Sequence, residues 1–286
     1  MEREKIMLTL AQHYDAMKTL YGEDRIVGVF LQGSQNYGMD DEFSDIDTKC
    51  LIVPSIKELV MAEQPTSITH YIIDGKLVFT EEEKVVAEHC DAKDVRLYWK
   101  TLLKANINFV EILFTDYFIV NPLYEDLWAA IVRIREDIAR VNPLNAIKAM
   151  MGMVSEKEHA LTHRYPSRAA WIDKYGYDPK QLSHLIRIAY FAYGYMNGPF
   201  TYADLVKGES MLPSHKEKLV EIKRYGCGDL QAAEKIADTH VAMTKAIYEA
   251  AKKKYDGADN EDIKTEMFSV MREMVERGLR RELAQA

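Results

Sequence analysis

Two aspartates set two residues apart, Asp45 and Asp47, and the Gly33-Ser34 pair upstream of them are the residues whose type and spacing could do chemistry. The apolar run from Ile26 to Leu31 reads as a buried strand, and Cys50 to Val53, stopped by Pro54, as another. Side chains alternate along a strand, so Asp45 and Asp47 point the same way while Ile46 points into the core. Two carboxylates held side by side repel each other, and a hard divalent cation such as Mg²⁺ or Mn²⁺ satisfies both. Gly33 lets the backbone approach a ligand closely, and the Ser34 hydroxyl with neighbouring amides can bind phosphate oxygens. Together they point to metal-assisted phosphoryl or nucleotidyl transfer. Singly, Gly-Ser is common and Asp-x-Asp is more often a solvated turn; their order between two strands gives them meaning.

A third carboxylate would complete a two-metal shell. Asp74 lies in an Asp-Gly turn favoured for local backbone reasons, and Asp91 closes the apolar run from Val85, ahead of a helix. Glu111 sits in an apolar segment and reads as a buried hydrogen-bonding residue. Farther along, Lys180, His184 and Arg187 fall at i, i+4 and i+7 on one helix face, and Lys157 precedes them on another helix. Such cations balance the excess charge of a metal-bound triphosphate, although most charged helix faces are only solvated.

Gly33-Ser-Gln-Asn-Tyr-Gly38 followed by Ser44-Asp-Ile-Asp47 resembles the signature of the nucleotidyltransferase superfamily that includes DNA polymerase beta. More narrowly it looks like a bacterial and phage group of stand-alone predicted nucleotidyltransferases. The resemblance implies nucleotide binding at Gly33, Ser34 and Tyr37, and metal binding with catalysis at Asp45 and Asp47. It favours Asp91 as the third acid, because related proteins carry one just before a helix with a Lys-x-Asn pattern, here within Val95–Asn106. Lys157 and the segment Gly176–Arg187 look like the helical signature of the same group, which implies nucleotide binding by Lys157, Lys180, His184 and Arg187. The likeness spans roughly residues 26 to 200 in three blocks.

The fold so implied is α+β: a nucleotidyltransferase-type mixed sheet with flanking helices, then an all-helical domain closing over the nucleotide. Asn121-Pro122 marks the boundary, giving a catalytic domain over 1–120 and a helical one over 121–286. The implied reaction passes a nucleoside monophosphate from a nucleoside triphosphate to an acceptor that the fold does not name, whether RNA end, small molecule or protein. The competing reading is a nucleotide-binding regulatory or antitoxin-like module without turnover; binding alone would tolerate loss of the carboxylates that are present here.

The remaining elements are those that must position these groups. Residues 2–21 read as an amphipathic helix with Ile6, Leu10, Tyr14, Met17 and Leu20 on its stripe. Ser55 suits the cap of a short helix over 56–62, and Ser67–Ile73, Asp74-Gly75 and Lys76–Phe79 form a hairpin pattern. Val85–Asp91 reads as the last strand of this half. Helices are expected over 123–140, 144–161, 180–195, 229–255 and 261–283.

A net charge of −8 over 286 residues argues against broad attraction to nucleic acid. Between Arg133 and Arg187, however, ten Lys/Arg face six Asp/Glu, a local excess of four on which an RNA acceptor could dock. The three cysteines lack metal-binding spacing. The N-terminus lacks the apolar core of a signal peptide, and no apolar run reaches the roughly 18 residues of a membrane span. A cytoplasmic protein without membrane contact is expected.

Overall fold

The computed structural model describes residues 3–40 and 44–285, with the side chain of Ser167 excepted. Helix α1 (Arg3–Tyr21) leads into strand β1 (Ile26–Gln32), which a turn connects to β2 (Asp47–Ile52). Then come α2 (Ile56–Val60), β3 (Ser67–Ile73), β4 (Lys76–Val78), α3 (Glu81–Lys84) and β5 (Glu88–Asp94). Helices α4 (Val95–Leu103) and α5 (Ile107–Val110) precede β6 (Phe118–Val120). The sheet runs β4-β3-β5-β2-β1-β6; β2 and β5 pair in parallel, and its other pairs are antiparallel. The expected α+β architecture is therefore present: a mixed sheet with flanking helices, then helices to the end.

Local chemistry accounts for several elements. Ser55 and Glu58 form a reciprocal capping box at α2, and Asp74-Gly75 both take positive φ in the hairpin turn. Of the α1 stripe, Ile6, Leu10 and Met17 are buried against one sheet face with Val29, Leu31, Cys50 and Ile52, while Leu20 is 44% exposed.

One strand differs from expectation in frame. β5 covers Glu88–Asp94, not Val85–Asp91, and Val85 and Val86 lie exposed after α3, whose Thr80 cap makes a helical turn of the Glu81-Glu-Glu-Lys stretch. Two adjacent valines look like core, but the true strand alternates: Cys90, Ala92 and Asp94 are buried beneath it, with His89, Asp91 and Lys93 on the other face. Asp94, not Asp91, is the residue before α4, and its side chain caps that helix by accepting from Arg96 N–H.

The helical half comprises α6 (Glu125–Arg133), α7 (Arg135–Ala139), α8 (Pro143–Ala160), α9 (Ala169–Tyr175) and α10 (Pro179–Asn197). It continues through α11 (Tyr202–Val206), α12 (Pro213–Tyr225), α13 (Leu230–Lys254) and α14 (Glu261–Gln285). The single helix expected over 123–140 breaks at Ile134, where ψ turns to 15°. The second sheet face, with Val27, Phe30, Leu51 and Val53, shares one hydrophobic core with these helices. Phe30 meets Trp128 of α6 at 4.2 Å between ring centroids. α14 returns to the sheet half, where Gly278 packs so closely that an added Cβ would stand 2.5 Å from Val53. Among the described residues no helix is long and apolar enough to cross a membrane.

Candidate active site

The turn between β1 and β2 is held from several sides. Gly33 takes φ +107°, a conformation that favours glycine, and its N–H donates to Glu111 Oε1 at 3.0 Å. Ser34–Tyr37 then make a single 3₁₀ turn ending in left-handed Gly38. Asn36 Nδ2 donates to the Leu31 carbonyl, and Thr115 Oγ1 donates to Asn36 Oδ1 at 2.7 Å. Gln35 Nε2 donates to the Asp45 carbonyl at 2.8 Å, tying the Gly-Ser turn to the Asp-x-Asp segment. Ile46, 1% exposed, anchors that segment in the core, and the carboxylates of Asp45 and Asp47 on either side of it face one cavity.

That cavity, of about 520 Å³, lies between the two halves of the chain. Gly33, Ser34, Tyr37, Ser44, Asp45 and Asp47 line one side; Arg168, Trp171, Lys180, His184, Lys223, Arg224 and Tyr225 line the other. Two acids thus face a wall of cations. Arg168 is fixed by a bidentate pair with Asp178, whose Oδ1 also caps α10 by accepting from Lys180 N–H. Lys223 Nζ donates to Ser44 Oγ at 3.0 Å, a bond from α12 to the acidic loop. His184 is held well below the usual imidazole range by burial and by Arg187, Lys180, Lys157 and Lys223 around it, so it faces the cavity uncharged.

Gly33, Ser34, Tyr37, Asp45, Asp47, Lys180 and His184 are therefore brought together. Arg187 is not on the cavity wall as the i+7 spacing implies. It is 7% exposed, and its guanidinium lies 4.0 Å from the Tyr37 ring centroid, behind that side chain. The helix carries it past the cavity and into the interior. Lys157 pairs with Glu156 at 3.1 Å and does not line the cavity, although its charge helps to lower the His184 pKa.

Asp91 is also set apart. The β2–β5 register places Asp91 beside Lys49, where it accepts from Lys49 Nζ at 3.2 Å and Thr69 Oγ1 at 2.6 Å. The side chain that meets Asp47 is His89, with Nδ1 at 3.4 Å from Oδ1. The Asp47 carboxylate, and more distantly Asp45 and Asp91, raise the His89 pKa against the opposing effect of burial. Among the described residues no group of three or more His, Cys, Asp or Glu is set to hold a metal ion. The two-carboxylate pair nonetheless fits a divalent cation: both are oxygen donors on the cavity, and Asp47 Oδ1, shut from solvent, has among the described residues only the long 3.4 Å contact with His89 Nδ1.

Arg168, Trp171, Lys223, Arg224 and Tyr225 were invisible as site residues in the sequence. Arg168 and Trp171 lie on either side of an unanticipated helix start, and Lys223-Arg224-Tyr225 ends an ordinary amphipathic helix. Only the break at Gly226 marks that end. The basic strip 133–187 is not one open surface: Arg135 donates to the Leu113 carbonyl, Arg140 to that of Phe200, and Arg164 pairs with Asp173.

No family model and no curated protein matches this sequence. Among solved structures, the nucleotidyltransferase-like protein from Exiguobacterium sibiricum 255-15 is similar over 91% of this chain and 80% of its own, at 13% identity and a TM-score of 0.32. A likeness that distant carries no argument about the site, which stands on the residues described above.

Proposed function

We propose that this chain is a metal-dependent nucleotidyltransferase that passes a nucleoside monophosphate from a nucleoside triphosphate to a hydroxyl-bearing acceptor. The observation that carries the reading is the facing of Asp45 and Asp47 by Lys180, Lys223 and Arg224 across one cavity that the Gly33-Ser34 turn also lines. A site for a neutral or cationic ligand has no use for that wall, and a site for a bare anion has no use for the two acids. A metal-bound triphosphate uses both.

Asp45 and Asp47 would hold Mg²⁺ or Mn²⁺, which supplies charge stabilisation at the reacting phosphorus and lowers the cost of bringing two anions together. Ser34 and the amides of its turn bind phosphate oxygens, while Lys180, Lys223 and Arg224 hold the distal phosphates that depart as pyrophosphate. Uncharged His184 can donate or accept a hydrogen bond there without adding charge. The acceptor oxygen forms its bond to the α-phosphorus as the bridging bond to pyrophosphate breaks, and the acceptor's proton is released. RNA ends, metabolites and protein side chains all carry such a hydroxyl.

One observation favours the reading without turnover: Asp91 is engaged by Lys49 and Thr69 instead of completing the acidic site. Label transfer decides between the two. Nucleoside triphosphates labelled at the α-phosphate, incubated with the protein, Mg²⁺ or Mn²⁺ and RNA, metabolites or lysate, should mark one acceptor class. The Asp45→Asn and Asp47→Asn variants should lose that transfer while keeping the wild-type circular dichroism. Full transfer by the double variant would overturn the assignment.

A further inference from the structure

Glu111 has no place on the cavity wall, yet it is the buried acid that touches the Gly-Ser turn. It is 4% exposed, in the 3₁₀ turn Glu111–Leu113 directly after α5. Its Oε1 accepts the N–H of Gly33 at 3.0 Å, across 78 positions of sequence. Gly33 occupies the strained step at which β1 turns into the loop, at φ +107°, so the direction of its peptide sets where the Ser34 amide and hydroxyl point. Arg187, from the helical half, offsets the cost of that charge more than Lys49 does, and its guanidinium lies against the Tyr37 ring on the same turn. A buried carboxylate is costly to keep, and among the described residues this one caps no helix and has no bidentate arginine partner. Among the described residues, the hydrogen-bond donor that its carboxylate meets belongs to the Gly-Ser turn itself.

We infer that Glu111 is a positioning residue, fixing the Gly33 peptide so that the Ser34 turn is preorganised for the phosphates of a nucleotide. The inference rests on the proposed nucleotide site and adds to it a residue that meets no substrate. Its function is to hold an acceptor oxygen in one place. A glutamine supplies a carbonyl oxygen in that place; a leucine fills the space without one.

The experiment compares wild type, Glu111→Gln and Glu111→Leu by hydrogen exchange at the Gly33 amide and by calorimetric titration with Mg²⁺-ATP. Glu111→Leu should exchange the Gly33 amide at least several-fold faster and bind Mg²⁺-ATP roughly five- to tenfold more weakly, the worth of one hydrogen bond. Glu111→Gln should restore both to near the wild-type values. Because leucine replaces a buried acid, the melting temperature of Glu111→Leu should not fall with its affinity, which separates positioning from a general structural role. Wild-type protection and affinity in Glu111→Leu would overturn the inference, as would equal impairment in both variants. Should wild type bind neither Mg²⁺-ATP nor the other Mg²⁺-nucleoside triphosphates, the proposed function falls, and the Gly33 exchange rates still decide whether Glu111 fixes the turn.

Discussion

Replacing Glu111 by glutamine should change the pH dependence of stability in one direction and over one window. Burial raises the Glu111 pKa from 4.5 to about 7, opposed in part by Arg187, the Gly33 N–H and Lys49. A carboxyl whose folded pKa lies above its unfolded one favours the folded state only while protonated. Below pH 4.5 it is protonated in both states and costs nothing. Between pH 4.5 and about 7 the unfolded chain ionises first, so folding stability declines as pH rises, and above about 7 the penalty is complete. The displacement from 4.5 to about 7 corresponds to about 3 kcal/mol at 1.36 kcal/mol per unit, an order-of-magnitude figure. Glutamine keeps an acceptor for Gly33 N–H and removes the ionisation. Urea denaturation of both proteins from pH 4.5 to 8 reads the difference directly, since every other titrating group cancels. The variant should match wild type at pH 4.5 and exceed it by about 3 kcal/mol at pH 8. A constant difference across that range would show that Glu111 has the same pKa folded and unfolded, so that burial does not raise it, and would refute the reasoning.

Two further outcomes follow from the site. Lys180→Met should weaken Mg²⁺-ATP binding roughly ten- to hundredfold, the loss of one charge-assisted contact, and weaken AMP less, since AMP lacks the distal phosphates. Equal losses by calorimetry would move Lys180 to the acceptor side. Asp91→Asn should lower stability by about 1–2 kcal/mol, less than a fully buried pair would cost because Asp91 is half-exposed, and leave Mn²⁺ affinity unchanged by electron paramagnetic resonance. Lost Mn²⁺ affinity at unchanged stability would instead return Asp91 to the metal.

The first half of the site was legible because its signals are local. The run Ile26–Leu31 and the Gly-Ser turn depend on neighbours within a few residues, and β1, its turn and the cavity follow them; Asp45 and Ile46 precede β2, which starts at Asp47, yet Ile46 is buried and both carboxylates line the cavity. The hairpin at Asp74-Gly75 and the Ser55 cap were legible for the same reason. The second half was not, because its residues acquire meaning only through packing. Lys223 is one of several cations on α12, and nothing in its neighbourhood distinguishes it until Ser44 is found 3.0 Å away. Arg187 shares the helical spacing of Lys180 and His184, but spacing fixes a side of the helix without saying how deep that side lies. Seven residues along α10 is about 10 Å of rise, enough to pass from the cavity wall to the core.

The register between β2 and β5 shows how one such long-range fact redistributes roles. Parallel pairing sets Thr48 against Cys90 and Lys49 against Asp91, which leaves His89 as the side chain at Asp47. Lys49 is 2% exposed, with its ammonium 3.9 Å from the Phe109 ring centroid, and a lysine so enclosed needs a counter-charge. Asp91 provides it, and Thr69 donates to the other carboxylate oxygen. Had the strand ended at Asp91, as the apolar run from Val85 implies, that acid would have stood where the helix begins. Moving the strand to Glu88–Asp94 gives the helix cap to Asp94 and the charge balance of a buried lysine to Asp91. The acidic side of the cavity then rests on two carboxylates and a histidine neighbour, and the positive charge facing it comes from Lys180 on α10 and from Lys223 and Arg224 on α12.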